Sequence, residues 1–525
     1  MDIIENEKKK RTILYGLLVT VLVLIGVTYA YYRITKTQTN SNVIGTRTCL
    51  NTTLTEETSE IVLSDAFPIS DEDGLKQSPF TFTLTNNCDS YVKVTIALVS
   101  EYRTSTNTAY LKDNYVKSNL STKGTNDGSS VILSTLSLGE VDTNTQGYVL
   151  KTTGLKNKEA KSFDLRLWLD SETTNEQGLN KTWKGKIVVS VVAAEYVPTF
   201  AETILANNEV KAPITTPGAA ISTASEALLA STEDDYGTSY YFRGAVTNNY
   251  VEFANKCWRI VRVGGDGSVK LILHNDNTTG AANPCDAANN SDSAAFARYS
   301  GTTYKSAFNK RYNDNAYLGF KYGTPGSSTY EATHANTNDS TILNNLETWY
   351  TNNLKTYADA IADTEWCNDK TNVTDTTFKP SDYSNVNGSG YGINDTYYGA
   401  TKRLLSADNK AGGTGPSLKC NGELSKITSK VGLITADELA FAGYAFERNN
   451  TTTYLQENAT DSRWWSLSPG RFGSSYACVW FVGGSSVDFN DYYVDNSYGL
   501  RPSIFLKSTT NVTGNGTSDK PYKVV

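Results

Sequence analysis

The chain carries few groups able to do covalent chemistry. His274 and His334 are its only imidazoles. His274 closes a strand-like run and His334 sits in a Thr/Asn-rich loop, so both read as plain surface or edge residues rather than as catalytic bases. No H-E-x-x-H, G-x-S-x-G or G-x-x-x-x-G-K-[ST] pattern occurs. Cys49, Cys88, Cys257, Cys285, Cys367, Cys420 and Cys478 stand singly, and without a C-x-x-C pair a zinc ribbon or thiol-redox motif is not expected. Asp437-Glu438 follows Thr435 at the spacing of a capping box, which places these carboxylates on a helix N-terminus rather than in acid/base work. Asp488, Asp491 and Asp495 read as solvated loop carboxylates. The expectation is a protein that is not an enzyme and needs no metal or other cofactor.

What remains is recognition chemistry, concentrated in Arg463 to Leu506. Within it Ser466 to Leu500 contains no Lys, Glu, Gln or Met, and is instead rich in Tyr, Phe, Ser, Gly, Asn and Asp. Tyrosine offers a large contact area with only two side-chain torsions to freeze, while Ser, Gly and Asn adapt their hydrogen bonds to the partner. The residues expected to meet a ligand are Phe472, Ser474, Ser475, Tyr476, Phe481, Gly483, Ser485, Asp488, Phe489, Asn490, Asp491, Tyr492, Tyr493, Asp495, Asn496, Ser497 and Tyr498. Trp464, Trp465, Trp480, Arg501 and Pro502 are expected to be scaffold. Tyr476 to Val482 reads as a strand, Gly483 to Ser486 as a turn, Val487 to Val494 as a second strand and Leu500 to Leu506 as a terminal strand.

The succession WWSLSP, SSYACVW, a Gly/Ser/Asn/Asp/Tyr-rich run and YGLRP resembles the variable region of proteins diversified by diversity-generating retroelements. Those proteins are similar in fold to C-type lectins and to the formylglycine-generating enzyme. The resemblance implies a lectin-like α+β domain over roughly residues 236–525, with a variable part near 463–505. It also implies randomised Asn codons that cannot encode Lys, Glu, Gln, Met or Trp, leaving Trp480 as a fixed position. The formylglycine-generating enzyme holds copper with paired cysteines, whereas only Cys478 lies in the comparable stretch, so oxidase activity is the remoter reading. Calcium-dependent sugar binding uses E-P-N or Q-P-D with a later W-N-D; neither is present, because Trp366-Cys367-Asn368-Asp369 breaks the spacing.

These elements sit at the end of a 525-residue chain, long enough for about three domains. A net charge of −7 and a pI near 5.2 argue against binding nucleic acid through its phosphates. Residues 1–12 form a basic tail ending in Lys8-Lys9-Lys10-Arg11, and Ile13 to Tyr32 is uncharged over twenty residues. At about 1.5 Å per residue that is about 30 Å of helix, the thickness of a bilayer core. The expectation is a single-pass membrane anchor with a cytoplasmic N-terminus and the bulk of the chain outside the cell. A cleaved signal peptide is the alternative, with no A-x-A site in evidence.

Residues 46–195 alternate in short runs, Phe80-Thr-Phe82-Thr-Leu84 and Val92-Lys-Val94-Thr-Ile96, with a β-branched run at Ile187 to Val192. This is the pattern of a β-sandwich, read as a stalk. Phe80 to Asn86, Tyr91 to Ala97 and Leu165 to Asp170 resemble the TasA/camelysin type of bacterial surface sandwich. Residues 196–235, with Pro198, Pro213 and Pro217, read as a linker. In the head, Ser340 is placed to cap a helix to Leu354, and Thr435 opens a second through Phe446. Cys49 with Cys88 and Cys367 with Cys420 are the preferred disulfides, although spacing alone does not fix connectivity. Fold and function together read as a multi-domain, membrane-tethered binding protein of adhesin or receptor type for a protein or glycan ligand. A non-diversified structural or fibre-forming surface protein is the alternative.

Overall fold

The computed structural model describes residues 34–37, 52–56, 61–64, 66–126, 128–140, 146–381, 385–420 and 426–525. The basic tail, the segment 13–32 and Cys49 lie outside the described residues. Among the described residues no helix is long and apolar enough to cross a membrane. The chain is β-rich and divides into two compact units, Met1–Val197 and Pro198–Val525.

The first unit is built from two six-stranded sheets. In one, Thr182–Ala193 lies against Val92–Ser100, which lies against Gln146–Leu155; in the other, Ala160–Asp170 lies between Phe80–Asn86 and Val116–Thr122. Period-two alternation explains the packing, since Val92, Val94 and Ile96 are buried while Lys93 between them is exposed. Val94, Ile96, Val189 and Val191 from one sheet join Phe82, Leu84, Phe163 and Leu165 from the other in a single apolar cluster. Its polar insertion is satisfied. The buried Asp113 carboxylate accepts from Trp183 Nε1 and from Tyr148 Oη, each at 2.7 Å.

The second unit holds an eight-stranded and a six-stranded sheet around one large apolar core. The eight-stranded sheet contains Ala227–Asp234, Gly237–Gly244, Lys256–Val263, Val269–Asn275 and Ser503–Leu506. The six-stranded sheet runs Lys305–Ser306, Tyr498–Gly499, Trp464–Gly473, Tyr476–Val482, Phe489–Tyr493, with Thr396–Tyr397 also on Trp464–Gly473. The helix Thr341–Asn353 is capped by Ser340, whose hydroxyl accepts from the Leu343 amide, and it buries Ile342, Leu346 and Trp349. The capping-box helix is shorter than expected. It spans Ala436–Ala442 and ends at Gly443, whose φ of +127° and contact with Ser222 suit only glycine.

Residues 196–235 are not a linker. Thr199 and Glu202 form a capping box for the helix Phe200–Asn207, and Phe200 and Ile204 enter the core of the second unit. Ala227–Asp234 then pairs along its full length with Gly237–Gly244. Glu226 and Arg243, both with wholly buried side chains, bond at 2.9 Å. The Thr/Ala/Ser composition concealed Phe200, Ile204 and Leu229, which enter the large core, and Leu228, which packs with Tyr241 and Phe441 in a smaller cluster.

Cys367 pairs with Cys420, and Cys257 with Cys285, the latter not anticipated from sequence. Cys88 is disulfide-bonded, and Cys478 is free and buried. The Cys257–Cys285 bridge spans a sequence separation of 28. Closing a loop of that order removes about 3–4 kcal/mol of unfolded-chain entropy. A Cys257→Ser/Cys285→Ser variant is therefore expected to lose about that much stability in a guanidinium titration followed by tryptophan fluorescence.

Candidate functional site

The C-terminal face is a three-stranded meander, Trp464–Gly473, Tyr476–Val482 and Phe489–Tyr493, with the last strand at the sheet edge. The first turn is a two-residue hairpin: Gly473 pairs with Tyr476, and Ser474 and Ser475 between them have φ of +50° and +69°. A turn with both central residues left-handed matches strand twist, but Asn-Gly is its usual sequence. In the second turn Val487, β-branched, has φ +47°. Left-handed non-glycine residues are costly and concentrate where a loop's shape is used.

The structure divides the expected contact residues. Phe472, Phe481 and Phe489 are buried, as are Gly483, Asp491 and Tyr498. This corrects the phenylalanines to core: Phe489 packs on Trp480 at 4.7 Å between ring centroids, and Phe481 on Tyr498 at 5.5 Å. Both faces of Tyr476–Val482 are covered, so Phe481 on one face and its neighbours Trp480 and Val482 on the other are all buried, and Phe489 packs on the Trp480 side. Gly483 is a packing glycine, since a Cβ there would come within 1.9 Å of the Asp488 carboxylate. Ser474, Ser475, Ser485, Tyr492, Asp495 and Ser497 are exposed; Tyr476, Asp488, Asn490, Tyr493 and Asn496 are half-buried.

The part-exposed tyrosines meet one another. Tyr312 stacks on Tyr476 at 4.8 Å, Tyr476 on Tyr493 at 4.3 Å, and Tyr493 lies 4.8 Å from Tyr492, which lies 6.4 Å from the buried Tyr498. Cys478, Trp480, Asp491 and Tyr493 share one face of the edge pair, and Val479 and Tyr492 the other, so this run of rings wraps the sheet edge. Arg463 closes it: its guanidinium lies 5.2 Å from the Phe481 ring and 5.8 Å from that of Tyr492, and it donates to Tyr498 Oη at 3.2 Å. Nothing local in the sequence marks Tyr312, which enters from a segment more than 150 residues upstream.

Trp464, Trp465 and Trp480 lie in the core beneath. Arg501 is wholly buried, donates from Nε to Leu273 O at 3.0 Å and lies 4.7 Å from the Trp464 ring. Pro502 O accepts from the Leu273 amide.

A second feature has almost no sequence signature. A cleft open to solvent is lined by charged residues and by Cys367 and Cys420. Glu438 binds Lys270 at 2.6 Å and Arg262 at 3.0 Å; Asp437 binds Arg403 at 2.6 Å, and Arg403 also meets Asp369 at 2.6 Å. Burial alone would raise the Glu438 carboxyl, but Lys270 and Arg262 pull it down to about 2. Lys270 also lies 4.7 Å from the Trp366 ring. The sequence signals were the capping box of Thr435, Asp437 and Glu438 and a lysine in an otherwise apolar run, Val269-Lys-Leu-Ile-Leu. Each of these charges has an internal partner, so the network is built to hold the fold.

Both histidines are buried, correcting their surface reading. His274 faces Tyr250 edge-on at 5.3 Å, and His334 faces Tyr398 likewise at 5.8 Å. Burial, reinforced by Arg259 and Arg501, holds His274 well below the usual imidazole range; burial and Lys370 bring His334 to about 3. Neither lines the charged cleft. Among the described residues no three His, Cys, Asp or Glu side chains gather as a metal site.

The fold and site define a β-rich, two-unit protein whose C-terminal unit carries a tyrosine-ringed sheet edge. No known protein-family model matches the chain, and no curated protein matches it.

Proposed function

We propose that the protein is a cell-surface binding protein of adhesin or receptor type, held by its N-terminal segment in the membrane with the bulk outside the cell. On this reading the C-terminal unit is a C-type-lectin-like head, the first unit is its stalk, and the terminal meander is a surface diversified by a retroelement. Its ligand is a protein or glycan, and the head acts by binding rather than by catalysis. The observation that carries the reading is the continuous run of part-exposed tyrosine rings around the sheet edge, bounded by the exposed Ser474-Ser475 turn. A few aromatic anchors supply most of the energy in such surfaces, and polar neighbours set the specificity. An oxidase of the formylglycine-generating type is disfavoured, because Cys478 is the only free cysteine among the described residues and burial pushes its thiol far above the ordinary range.

The test is a panel of immobilised cell-surface proteins and polysaccharides probed with the full-length protein and with its Tyr492→Ala/Tyr493→Ala variant. The reading expects saturable binding to a discrete member, lost in the variant at a melting temperature within a few degrees of the parent. Equal binding by both proteins, or polymerisation with no discrete ligand, would favour the structural reading instead.

A further inference from the structure

A narrow cleft opens beside the strand Thr396–Tyr397 and the helix Gly399–Leu404 and is also lined by Asn490 and Asp491 of the edge strand that carries Tyr492 and Tyr493. Tyr397, Phe446 and Trp480 contribute aromatic walls, and Arg471, Asn490 and Asp491 contribute polar groups. Asp491 is 7% exposed, and among the described residues its Oδ1 has no hydrogen-bond partner. The cation that faces it, Arg471 Nη2, stands 3.4 Å away, beyond the 2.7–2.9 Å of a charge-assisted hydrogen bond. The backbone makes room for the carboxylate: Gly470 lies beneath it, and a Cβ at that position would sit 2.6 Å from Oδ2. A buried carboxylate with an open acceptor is costly unless something donates to it.

We infer that this cleft captures a primary ammonium group, the tip of a lysine side chain on a protein bound at the tyrosine face. An ammonium is the size of a water molecule, which is what the base of the cleft accommodates. Aromatic walls favour a cation over a neutral donor, and the carboxylate supplies the charge and the missing hydrogen bond. Of the charged groups, Arg471 is the one that acts on Asp491; Glu447 accepts from the lining Asn490 at 3.3 Å, and Lys379, Lys402 and Lys410 adjoin the lining residues Pro380, Thr401 and Asn409 in the chain. Burial raises the Asp491 carboxyl above its ordinary value, so capture weakens on acidification as that group takes up a proton.

The inference rests on the proposed binding role for its protein partner, but the cleft can be tested without one. Ligand-observed NMR on the full-length protein with n-butylammonium should show saturable binding, and n-butanol should show none. Asp491→Asn, nearly isosteric, is expected to weaken n-butylammonium by about tenfold or more. Arg471→Gln, which removes the competing cation, is expected to tighten it several-fold, a gain that misfolding cannot imitate. No binding by a folded parent would mean a bound water only and would overturn the inference, as would weaker binding in Arg471→Gln. A blank macromolecule panel with n-butylammonium binding intact would sink the tyrosine surface and leave the cleft; the reverse would sink the cleft alone.

Discussion

Glu438→Ala is expected to lower the stability of the C-terminal unit by about 3–5 kcal/mol, the range for removing one partner of a buried ion pair. Two losses coincide. The Lys270 ammonium, with a side chain 3% exposed, is left without its carboxylate, and the capping box loses the oxygen that accepts from the Thr435 amide at 2.9 Å. Glu438→Gln separates them, since an amide still caps but does not neutralise Lys270. Guanidinium titrations of the three proteins measure both. Acid provides an independent readout. The Glu438 carboxyl is at about 2 in the fold against an ordinary 4.5, so its contribution is complete above about pH 4.5 and is lost as pH falls toward 2. The parent should therefore lose stability across that window more steeply than Glu438→Gln. Parallel acid profiles for the two proteins would show that the pair is not coupled as described.

Phe489→Ala is expected to cost about 3–5 kcal/mol, as for a buried phenylalanine cut to a methyl group. Phe489 is wholly buried, 4.7 Å from the Trp480 ring and 5.9 Å from that of Tyr444. Tyr492 is 39% exposed, and Tyr492→Ala gives up only edge stacking worth about 1 kcal/mol. The two residues are three apart in one short meander, yet one variant should fail a thermal melt and the other pass it. Comparable melts would contradict the inward facing of Phe489 and the strand register that sets it.

The sequence exposed the strands more readily than the surface they build. Alternation in Phe80 to Leu84 and Val92 to Ile96, and the capping residues Ser340 and Thr435, act locally, so the elements they specify form where their periods and caps require. Composition marked the terminal meander but could not separate Phe489 from Tyr492, because inward and outward facing depend on register against a neighbouring strand. The segment 196–235 misled for a related reason. Three prolines outweighed four apolar residues whose value depends on partners assembled from elsewhere in the chain, the large core for Phe200, Ile204 and Leu229 and a smaller cluster for Leu228. Of the Glu438–Lys270 pair, separated by 168 residues, the sequence marked Glu438 as a cap and Lys270 as a lysine in an apolar strand, but not that the two meet. Tyr312, the first ring of the tyrosine run, left none.

Whether the protein meets a ligand through the proposed surface can be read directly by photo-crosslinking. A benzoylphenylalanine in place of Tyr492 samples the tyrosine face, one in place of Tyr236 samples the mouth of the charged cleft, and one in place of Ile393, 71% exposed, samples another part of the same unit. Irradiated in the full-length protein on intact cells, the probe at 492 is predicted to give a discrete macromolecular adduct that the probes at 236 and 393 do not. An adduct from 236 with none from 492 would contradict the account and assign recognition to the charged cleft.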